Sequence, residues 1–133
     1  MSATAKGTFE VKTTPQPPAD SDDTGIARLL LDKQFHGDLD AVSKGQMLGA
    51  GNPAKGSGGY VAIEKVTGTL NGRKGSFALQ HIGTMTNGVP TMKVSVVPDS
   101  GTDQLTGISG KMSIDIKNGK HFYAFDYSLP GAN

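Results

Sequence analysis

Three polar side chains lie within the most apolar stretch of the chain and are the best candidates for chemistry. Glu64 lies in the run Tyr60–Val66. Gln80 and His81 lie in the run Ser76–Ile82. A carboxylate and an imidazole in an apolar setting can act as acid, base or hydrogen-bond donor toward a bound molecule. We therefore treat His81 and Glu64 as candidate catalytic residues and Gln80 as a candidate ligand contact.

The two runs are joined by a segment dense in turn residues, Thr67–Gly75, with Asn71-Gly72 at its centre. An Asn-Gly pair is typical of a two-residue type I′ turn, because both central residues then take positive φ. The sequence therefore predicts a hairpin that brings Glu64 and His81 onto neighbouring strands. A bulge within Thr67–Gly75 would change the register, and a slip of one residue would turn Glu64 outward.

Alternation along each strand indicates which side chains enter the interior. Phe77, Leu79 and His81 share one face, which we expect to point inward. Glu64 points inward if Lys65 faces water, and the pair with His81 is then hydrogen-bonded in an apolar cavity. The alternative has Glu64 exposed and its apolar neighbours inside. For His81, the competing interpretation is a core histidine that is satisfied by one carbonyl or carboxylate.

Aromatic side chains follow a similar alternation in the last strand. Tyr123, Phe125 and Tyr127 share a face, whereas Asp126 is expected to point outward or into a subunit contact. Such a row is either packed core or part of a ligand cage. The candidate ligand-binding residues are Tyr60, Phe77, Leu79, Gln80, Tyr123, Phe125 and Tyr127.

The composition limits the class of protein. A chain of 133 residues with 19 glycines and 35% hydrophobic residues predicts a single domain, 1–133, that is rich in turns. The net charge of +1 gives no overall field for nucleic acid or an anionic membrane, so neither is expected as a partner. No apolar stretch approaches the ~20 residues of a membrane span, and the N-terminus lacks the apolar core of a signal peptide. We expect a cytoplasmic protein.

Metal and cofactor motifs are not convincing. The chain has no cysteine, and its three histidines do not show a metal-ligand spacing. The glycine-rich segment Gly49–Ala54 matches a degenerate dinucleotide fingerprint, but the helix that such a site requires does not follow it. We therefore expect neither a metal nor a cofactor.

The residue pattern in the first half of the chain predicts mainly strands and turns. Gly7–Lys12 alternates as a half-buried strand, and the proline-rich Thr13–Gly25 predicts a long surface loop that could cover one end of the fold. Ile26–Phe35 fits a helix or a strand, and its setting favours a strand. Gly37–Asn52 predicts a curved or bulged strand, and Gly49–Gly59 reads as flexible turn sequence.

The second half adds regular alternation. Thr91–Val97, Lys111–Lys117 and His121–Leu129 each predict a strand, and Asn87-Gly88 and Asn118-Gly119 predict two further hairpin turns. About eight short strands in succession, with at most one short helix near Thr24–Leu31, indicate an all-β protein. An up-and-down meander of this kind closes into an eight-stranded antiparallel barrel, which removes exposed edges.

Four segments carry a resemblance to known proteins: Val66–Leu70, Gly75–His81, Val96–Thr102 and Leu105–Gly107. Together they resemble a bacterial domain family of unknown function, which is itself similar to the allene oxide cyclase barrels. The pattern Leu105-x-Gly107-x-x-Gly110 also resembles a glycine-rich segment of allene oxide cyclases and dirigent proteins. Here Asp103 stands where those families have glycine and Leu105 replaces an aromatic residue, so no catalytic residue of those families is carried over. The resemblance implies an eight-stranded barrel.

Two functions compete at this stage. The first is a small barrel that binds a hydrophobic small molecule and catalyses a cofactor-free isomerisation or cyclisation through His81 and Glu64. The second is a barrel with a filled core that acts through its outer surface as an oligomeric or partner-binding module. Strands that are apolar on both faces lead us to expect a homo-oligomer, most simply a dimer. A cavity of a few hundred Å³ would favour the first function, and a solid interior the second.

Overall fold

Eight antiparallel strands form a closed barrel in a computed structural model that describes residues 2–17 and 25–131. Each strand pairs with its neighbours in sequence, and β8 pairs with β1 to close the barrel. Within the described residues, no helix is long and apolar enough to cross a membrane. The predicted all-β up-and-down barrel is confirmed. Its strands are β1 (Ser2–Pro15), β2 (Ala27–Gly37), β3 (Leu39–Asn52), β4 (Ser57–Leu70), β5 (Arg73–Thr86), β6 (Val89–Val96), β7 (Ser109–Lys117) and β8 (Lys120–Ser128).

The three Asn-Gly pairs are hairpin turns, as predicted. Asn71 and Gly72 have φ of 47° and 83°, which is the positive pair that a type I′ turn requires. Because the strands run up and down, the turns alternate between the two ends of the barrel. The β3–β4, β5–β6 and β7–β8 turns lie at one end, which we call the mouth, and the Asn71-Gly72 turn lies at the other.

The connection between β6 and β7, residues 97–108, covers the end opposite the mouth. Thr102 donates its N–H to the carbonyl of Ser76 at 2.8 Å, and Ala78 donates its N–H to Ser100 Oγ at 3.0 Å. These bonds hold the connection along the edge of β5 and place the side chain of Leu105, which is 1% exposed, over the interior. Most of the residues that carry the family resemblance therefore build this closed end, whereas His81, the last of Gly75–His81, lies nearer the mouth.

Aromatic packing fills the half of the barrel beneath this cover, which we call the closed half. Phe77 stacks on Phe125 with a centroid distance of 5.6 Å, and Phe125 stacks on Tyr127 at 5.4 Å. Phe35 meets Tyr123 edge-on at 5.6 Å. Offset and edge-on contacts of this kind are favourable arrangements of aromatic rings. The closed half is a solid core.

The strand Ala27–Gly37 confirms the strand interpretation of Ile26–Phe35. The expected loop Thr13–Gly25 is wrong at its start, because β1 continues through Pro15 and pairs with the beginning of β2. A proline is tolerated there because the ladder ends at that residue. Residues 18–24, which include Asp20, Asp22, Asp23 and the Thr24 end of the helix considered for Thr24–Leu31, lie outside the described residues.

Two other expectations about turns need correction. Gly49–Gly59 is not a flexible turn over its whole length, since β3 runs to Asn52 and β4 begins at Ser57. Only four residues, which include the 3-10 turn Pro53–Lys55, connect the strands. The single bent strand predicted for Gly37–Asn52 is the last residue of β2 followed by β3. Pairing with neighbouring strands overrides the weak local preference of the glycines in both places.

The register between β4 and β5 settles the direction of Glu64. The ladder runs without a bulge from Leu70 opposite Arg73 to Gly58 opposite Met85. Glu64 therefore shares the inward face of β4, and its neighbour Lys65 is exposed.

Candidate functional site

The mouth half of the barrel contains an open cup of about 250 Å³. Its walls are mainly inward-facing apolar side chains from β1, β2, β3, β4, β6 and β7. Its most buried polar members are His81, which is 5% exposed, and Lys33, whose side chain is 7% exposed. The lining residues are Phe9, Val11, Leu31, Lys33, Met47, Tyr60, Ala62, His81, Met92, Ile114, Ile116 and His121.

A buried carboxylate organises the polar side chains at the bottom of this cup. Glu64 is 0% exposed, and its Oε2 lies 2.7 Å from Lys33 Nζ and 2.5 Å from His81 Nε2. Its Oε1 accepts a hydrogen bond from Ser43 Oγ at 2.7 Å. We call Ser43, Lys33, Glu64 and His81 the polar cluster. A buried charge needs this kind of pairing to be stable.

The polar cluster keeps Glu64 ionised. Burial alone raises the pKa of the Glu64 carboxyl, but the hydrogen bond from His81, the charge and hydrogen bond of Lys33 and the hydrogen bond from Ser43 outweigh burial. Together they lower the pKa from 4.5 to about 2. An ionised carboxylate only accepts hydrogen bonds, so His81 Nε2 must donate to it. In the neutral ring, Nδ1 then carries the lone pair of a base.

The His81 ring lines the cup. Among the described residues, the hydrogen bond of its side chain is the one from Nε2 to Glu64. Nδ1 is therefore the ring nitrogen that a molecule in the cup can contact. A histidine whose far nitrogen is held by a buried carboxylate is a common arrangement for a general base.

Lys33 was missed by the sequence analysis. Its Nζ lies 5.0 Å from the ring centroid of Phe9 and 5.9 Å from that of Phe35. Cation–π contacts with these rings therefore stabilise the ammonium in addition to its ion pair with Glu64. The alternation of β2 indicated that Lys33 points inward, because Lys33 shares its face with Leu31 and Phe35, which are both buried. In β3, Ser43 likewise shares its face with buried Leu39 and Ala41.

Gly45 allows the backbone to approach the polar cluster closely. It pairs with Glu64 across β3 and β4. A Cβ at this position would meet the Ile63 carbonyl oxygen and would lie 2.7 Å from both Cα and Cβ of Glu64. Any side chain here would force the two strands apart at the residue that organises the cluster.

Tyr60 forms part of the cup wall opposite a second glycine. Its ring lies across Gly83, where a Cβ would be 2.9 Å from Tyr60 Cζ. Burial, followed by the negative charge of Glu64, raises the pKa of the Tyr60 hydroxyl. The phenol therefore remains protonated over a wide pH range and can donate a hydrogen bond to a molecule in the cup.

Three of the predicted site residues lie together at the cup, and the other predicted site residues lie elsewhere in the barrel. His81, Glu64 and Tyr60 meet at the cup, which confirms the predicted inward direction of the first two side chains. Gln80 points outward and is exposed. The remaining candidates pack in the closed half, away from the cup lining: Phe77, Leu79, Tyr123, Phe125 and Tyr127.

Two of those tyrosines use their hydroxyls to hold the fold. Tyr123 Oη accepts a hydrogen bond from the Leu39 N–H and donates to the His36 carbonyl, both at 2.9 Å. Tyr127 Oη accepts from Asn71 Nδ2 at 2.7 Å and so anchors the central hairpin turn. Asp126 is exposed, as expected, and accepts from Thr4 Oγ1 at 2.6 Å.

A second concavity lies on the outside of the barrel, across β3, β4 and β5. This side groove has a volume of about 700 Å³. Its apolar side chains are Leu48, Val61, Ile63 and Ile82, which are between 44% and 58% exposed. In residues 2–17 and 25–131, no group of three His, Cys, Asp or Glu side chains is arranged to hold a metal ion.

The geometry defines a class of protein, namely a small closed antiparallel barrel with one solid end and one open end above a buried Lys–Glu–His cluster. A family profile described as "Protein of unknown function (DUF3224)" matches residues 5–127, and the chain belongs to this family. It is similar to a solved structure, a protein with unknown function from the DUF3224 family of Shewanella oneidensis MR-1, determined by crystallography at 1.84 Å resolution. The two are 47% identical, the match covers 99% of this chain and 100% of the other, and the TM-score is 0.90.

No curated protein matches the chain. The expected membership of a bacterial family of unknown function is confirmed. The further similarity to allene oxide cyclase barrels is not named by these matches and stays a prediction from the motifs.

Proposed function

We propose that this protein binds a hydrophobic small molecule in the cup and isomerises or cyclises it by moving a proton, without a cofactor. The observation that supports the proposal is the presence of His81 and Lys33 in a cup with mainly apolar walls, both in contact with the buried Glu64 carboxylate. Apolar walls with a few convergent polar groups are typical of small-molecule sites.

The size of the cup limits the ligand. Its volume of about 250 Å³ lies slightly below the usual range for ligand pockets. A dry cavity of about 150 Å³ is sufficient for benzene. A ligand with a single ring, or a short chain of comparable volume, fits the cup, whereas a larger molecule would extend beyond the mouth.

The roles of the three charged residues follow from their contacts. His81 Nδ1 takes a proton from a carbon next to a ligand carbonyl, and the electron pair moves onto the carbonyl oxygen. The Lys33 ammonium stabilises the enolate that forms, because a fixed positive charge in an apolar site stabilises developing negative charge. In a β,γ-unsaturated ligand the enolate is a dienolate, and the imidazolium then returns the proton to its γ-carbon, so no oxidant, reductant or cofactor is needed. Glu64 does not reach the ligand and is a positioning residue.

Native mass spectrometry of the freshly purified protein tests the binding step, because a retained ligand identifies itself by mass. A β,γ-unsaturated cyclohexenone tests the chemical step, since its conjugated isomer is detected by ultraviolet absorbance. We expect His81→Gln, which keeps a donor to Glu64 but lacks the base, to lower kcat about 100-fold or more.

His36→Gln is the matched control. His36 also contacts a carboxylate, Glu10, at 2.8 Å, but its side chain is 50% exposed and lies outside the cup. Its variant should keep full activity. Ile114→Phe narrows the cup without altering the polar cluster and should weaken binding. The absence of both a retained ligand and conversion above the rate in buffer would contradict the proposal.

A second candidate function is association through the side groove. Its exposed apolar side chains support the expected homo-oligomer, since contiguous apolar surface of this kind is often an interface. Light scattering at low micromolar concentration tests it. A dimer that dissociates in Val61→Ser/Ile82→Ser would support this function, and a monomeric wild type would contradict it.

A further inference from the structure

The wall of the cup contains a histidine that the proposed proton transfer does not use. His121 is half-buried and lies on the inward face of β8, two residues before the buried Tyr123. Its ring packs against that of Phe9 with a centroid distance of 4.9 Å. In the part of the chain that the structure describes, its ring nitrogens make no hydrogen bond. A molecule in the cup therefore meets an imidazole that packing holds in place and whose hydrogen-bonding capacity the described residues leave unused.

His121 and Lys33 are near each other because both side chains contact the same aromatic ring. Lys33 Nζ lies 5.0 Å from the Phe9 centroid, and so within about 10 Å of the centre of the His121 ring. His81 and Lys33 are closer still, since both contact Oε2 of Glu64. One small molecule in the cup can therefore contact the polar cluster and His121 at the same time.

The polar side chains that line the cup share a preference for negative charge. Besides His121 they are Lys33, His81 and Tyr60, and each of these groups is neutral or positively charged near neutral pH. Glu64 is 0% exposed, and the polar cluster already occupies its oxygens. Within the described residues, no exposed acid lines the cup. A cation would find no counter-charge there, whereas an anion would find several partners.

We infer that the cup takes a small apolar acid in its anionic form, and that His121 selects this ligand by contacting its carboxylate. The Lys33 ammonium favours the same negative charge, and charge-assisted hydrogen bonds of this kind are stronger than neutral ones. A neutral ligand of the same shape would leave these donors without a partner. The inference rests on the proposed binding of a small molecule in the cup. For the proposed reaction it names the substrate class as unsaturated oxo acids, whose carbonyl meets Lys33 and whose carboxylate meets His121.

Other charged groups near His121 come from its own strand and from β1. Glu10 and Lys120 border a separate concavity that His121 also lines. The Glu10 side chain is 70% exposed and contacts His36 at 2.8 Å. From β7, the side chains that line the cup are apolar. The acid described beside His121 is therefore paired with another histidine, which leaves His121 free to act on a ligand.

Benzoate and benzamide provide the test, because they have nearly the same size and shape but only benzoate is an anion. A benzene ring fits a cavity smaller than the cup. By isothermal titration calorimetry near neutral pH, we expect benzoate to bind about tenfold more tightly than benzamide, or better. His121→Phe keeps a ring against Phe9 but removes the nitrogens. It should weaken benzoate binding about tenfold and leave benzamide binding within about twofold.

His36→Phe is the matched control, because it removes a histidine that is 50% exposed and lies outside the cup. It should leave the binding of both probes unchanged. Ile114→Phe narrows the cup and should weaken both probes alike, which places them in the cup. In turnover, a carboxylate on the β,γ-unsaturated cyclohexenone should lower KM at unchanged kcat, and His121→Phe should remove the difference.

Three results would overturn the inference. One is equal affinity for benzoate and benzamide. Another is a His121→Phe variant that binds both probes more weakly to the same extent, which would leave His121 a packing role only. The third concerns Asp20, Asp22 and Asp23, which lie outside the described residues. Tighter binding of benzoate after all three are changed to asparagine would assign His121 to carboxylates of the chain itself.

Failure of this inference is distinguishable from failure of the proposed function. Conversion of the neutral cyclohexenone without any preference for benzoate would contradict the inference and leave the proposed reaction standing. Selective binding of benzoate without conversion of either cyclohexenone would contradict the reaction and support the role of His121.

Discussion

The two halves of this barrel differ in what their inward-facing residues do. In the closed half, aromatic and aliphatic side chains fill the interior, and their polar atoms bond to the backbone or to a turn. In the mouth half, the same alternation places a lysine, a glutamate and a histidine inside and leaves a cup of about 250 Å³ above them. Changes in the closed half should therefore alter stability alone, whereas changes in the mouth half should also alter chemistry and pH dependence.

The largest expected effect is in the closed half. Phe125 is 0% exposed and lies between the rings of Phe77 and Tyr127, so Phe125→Ala should lower the free energy of unfolding by about 3–5 kcal/mol. Urea denaturation measures the change. The control is Phe122→Ala on the same strand, which removes a ring that is 37% exposed and should cost much less. Equal losses in the two variants would show that the closed half is not a packed core.

The next effect concerns the polar cluster. Glu64→Gln leaves the Lys33 ammonium buried without its counter-charge and should cost about 3 kcal/mol. Because Glu64 contacts both Lys33 and His81, combining Glu64→Gln with Lys33→Met or with His81→Leu should cost less than the sum of the single changes. Denaturation of the single and double variants gives the coupling. Strict additivity would mean that these side chains do not interact in solution.

Ionisation of Glu64 should make the mouth half sensitive to acid. The folded-state pKa of about 2 is below the ordinary 4.5, so the unfolded chain binds the proton more readily than the folded one. The stabilisation is present above pH 4.5 and is lost as the pH falls toward 2, by about 3 kcal/mol. Unfolding curves recorded across this window measure the loss.

Glu64→Gln is the reference for that measurement. Its stability should fall less steeply between pH 4.5 and 2, because the group that titrates is absent. Asp126→Asn, at an exposed carboxylate bonded to Thr4, should retain most of the wild-type slope. A slope that is the same in wild type and in Glu64→Gln would contradict the assignment.

The sequence predicted the polar pair because one strong local signal connects its two strands. Asn71-Gly72 fixes the β4–β5 hairpin, and the period of two then places Glu64 and His81 on the same side. Lys33 and Ser43 come from β2 and β3, and their distance from Glu64 depends on two further registers that no turn motif specifies. They could be assigned to the inward face but not to this carboxylate.

Alternation was also insufficient to show which of the inward-facing aromatic side chains line the cup. It shows which face a side chain occupies but not how deep along the barrel axis it lies. Phe77 and Tyr123 point inward as expected, yet both are at the level that the β6–β7 connection covers. That cover depends on Leu105 and on hydrogen bonds to β5, which are long-range contacts that a local pattern does not report.

The smallest expected effect comes from an exposed counterpart of the buried ion pair. Lys44 and Asp32 lie on neighbouring strands with Nζ 3.2 Å from Oδ1, but their side chains are 82% and 50% exposed. Water and salt screen such a pair, so Asp32→Asn should change the free energy of unfolding by no more than about 0.5 kcal/mol, and high salt should remove the difference. Denaturation of Asp32→Asn and Glu64→Gln at low and high salt gives the contrast. If the Asp32 variant lost as much stability as the Glu64 variant, burial would not be what makes the ion pair of Glu64 stronger than that of Asp32.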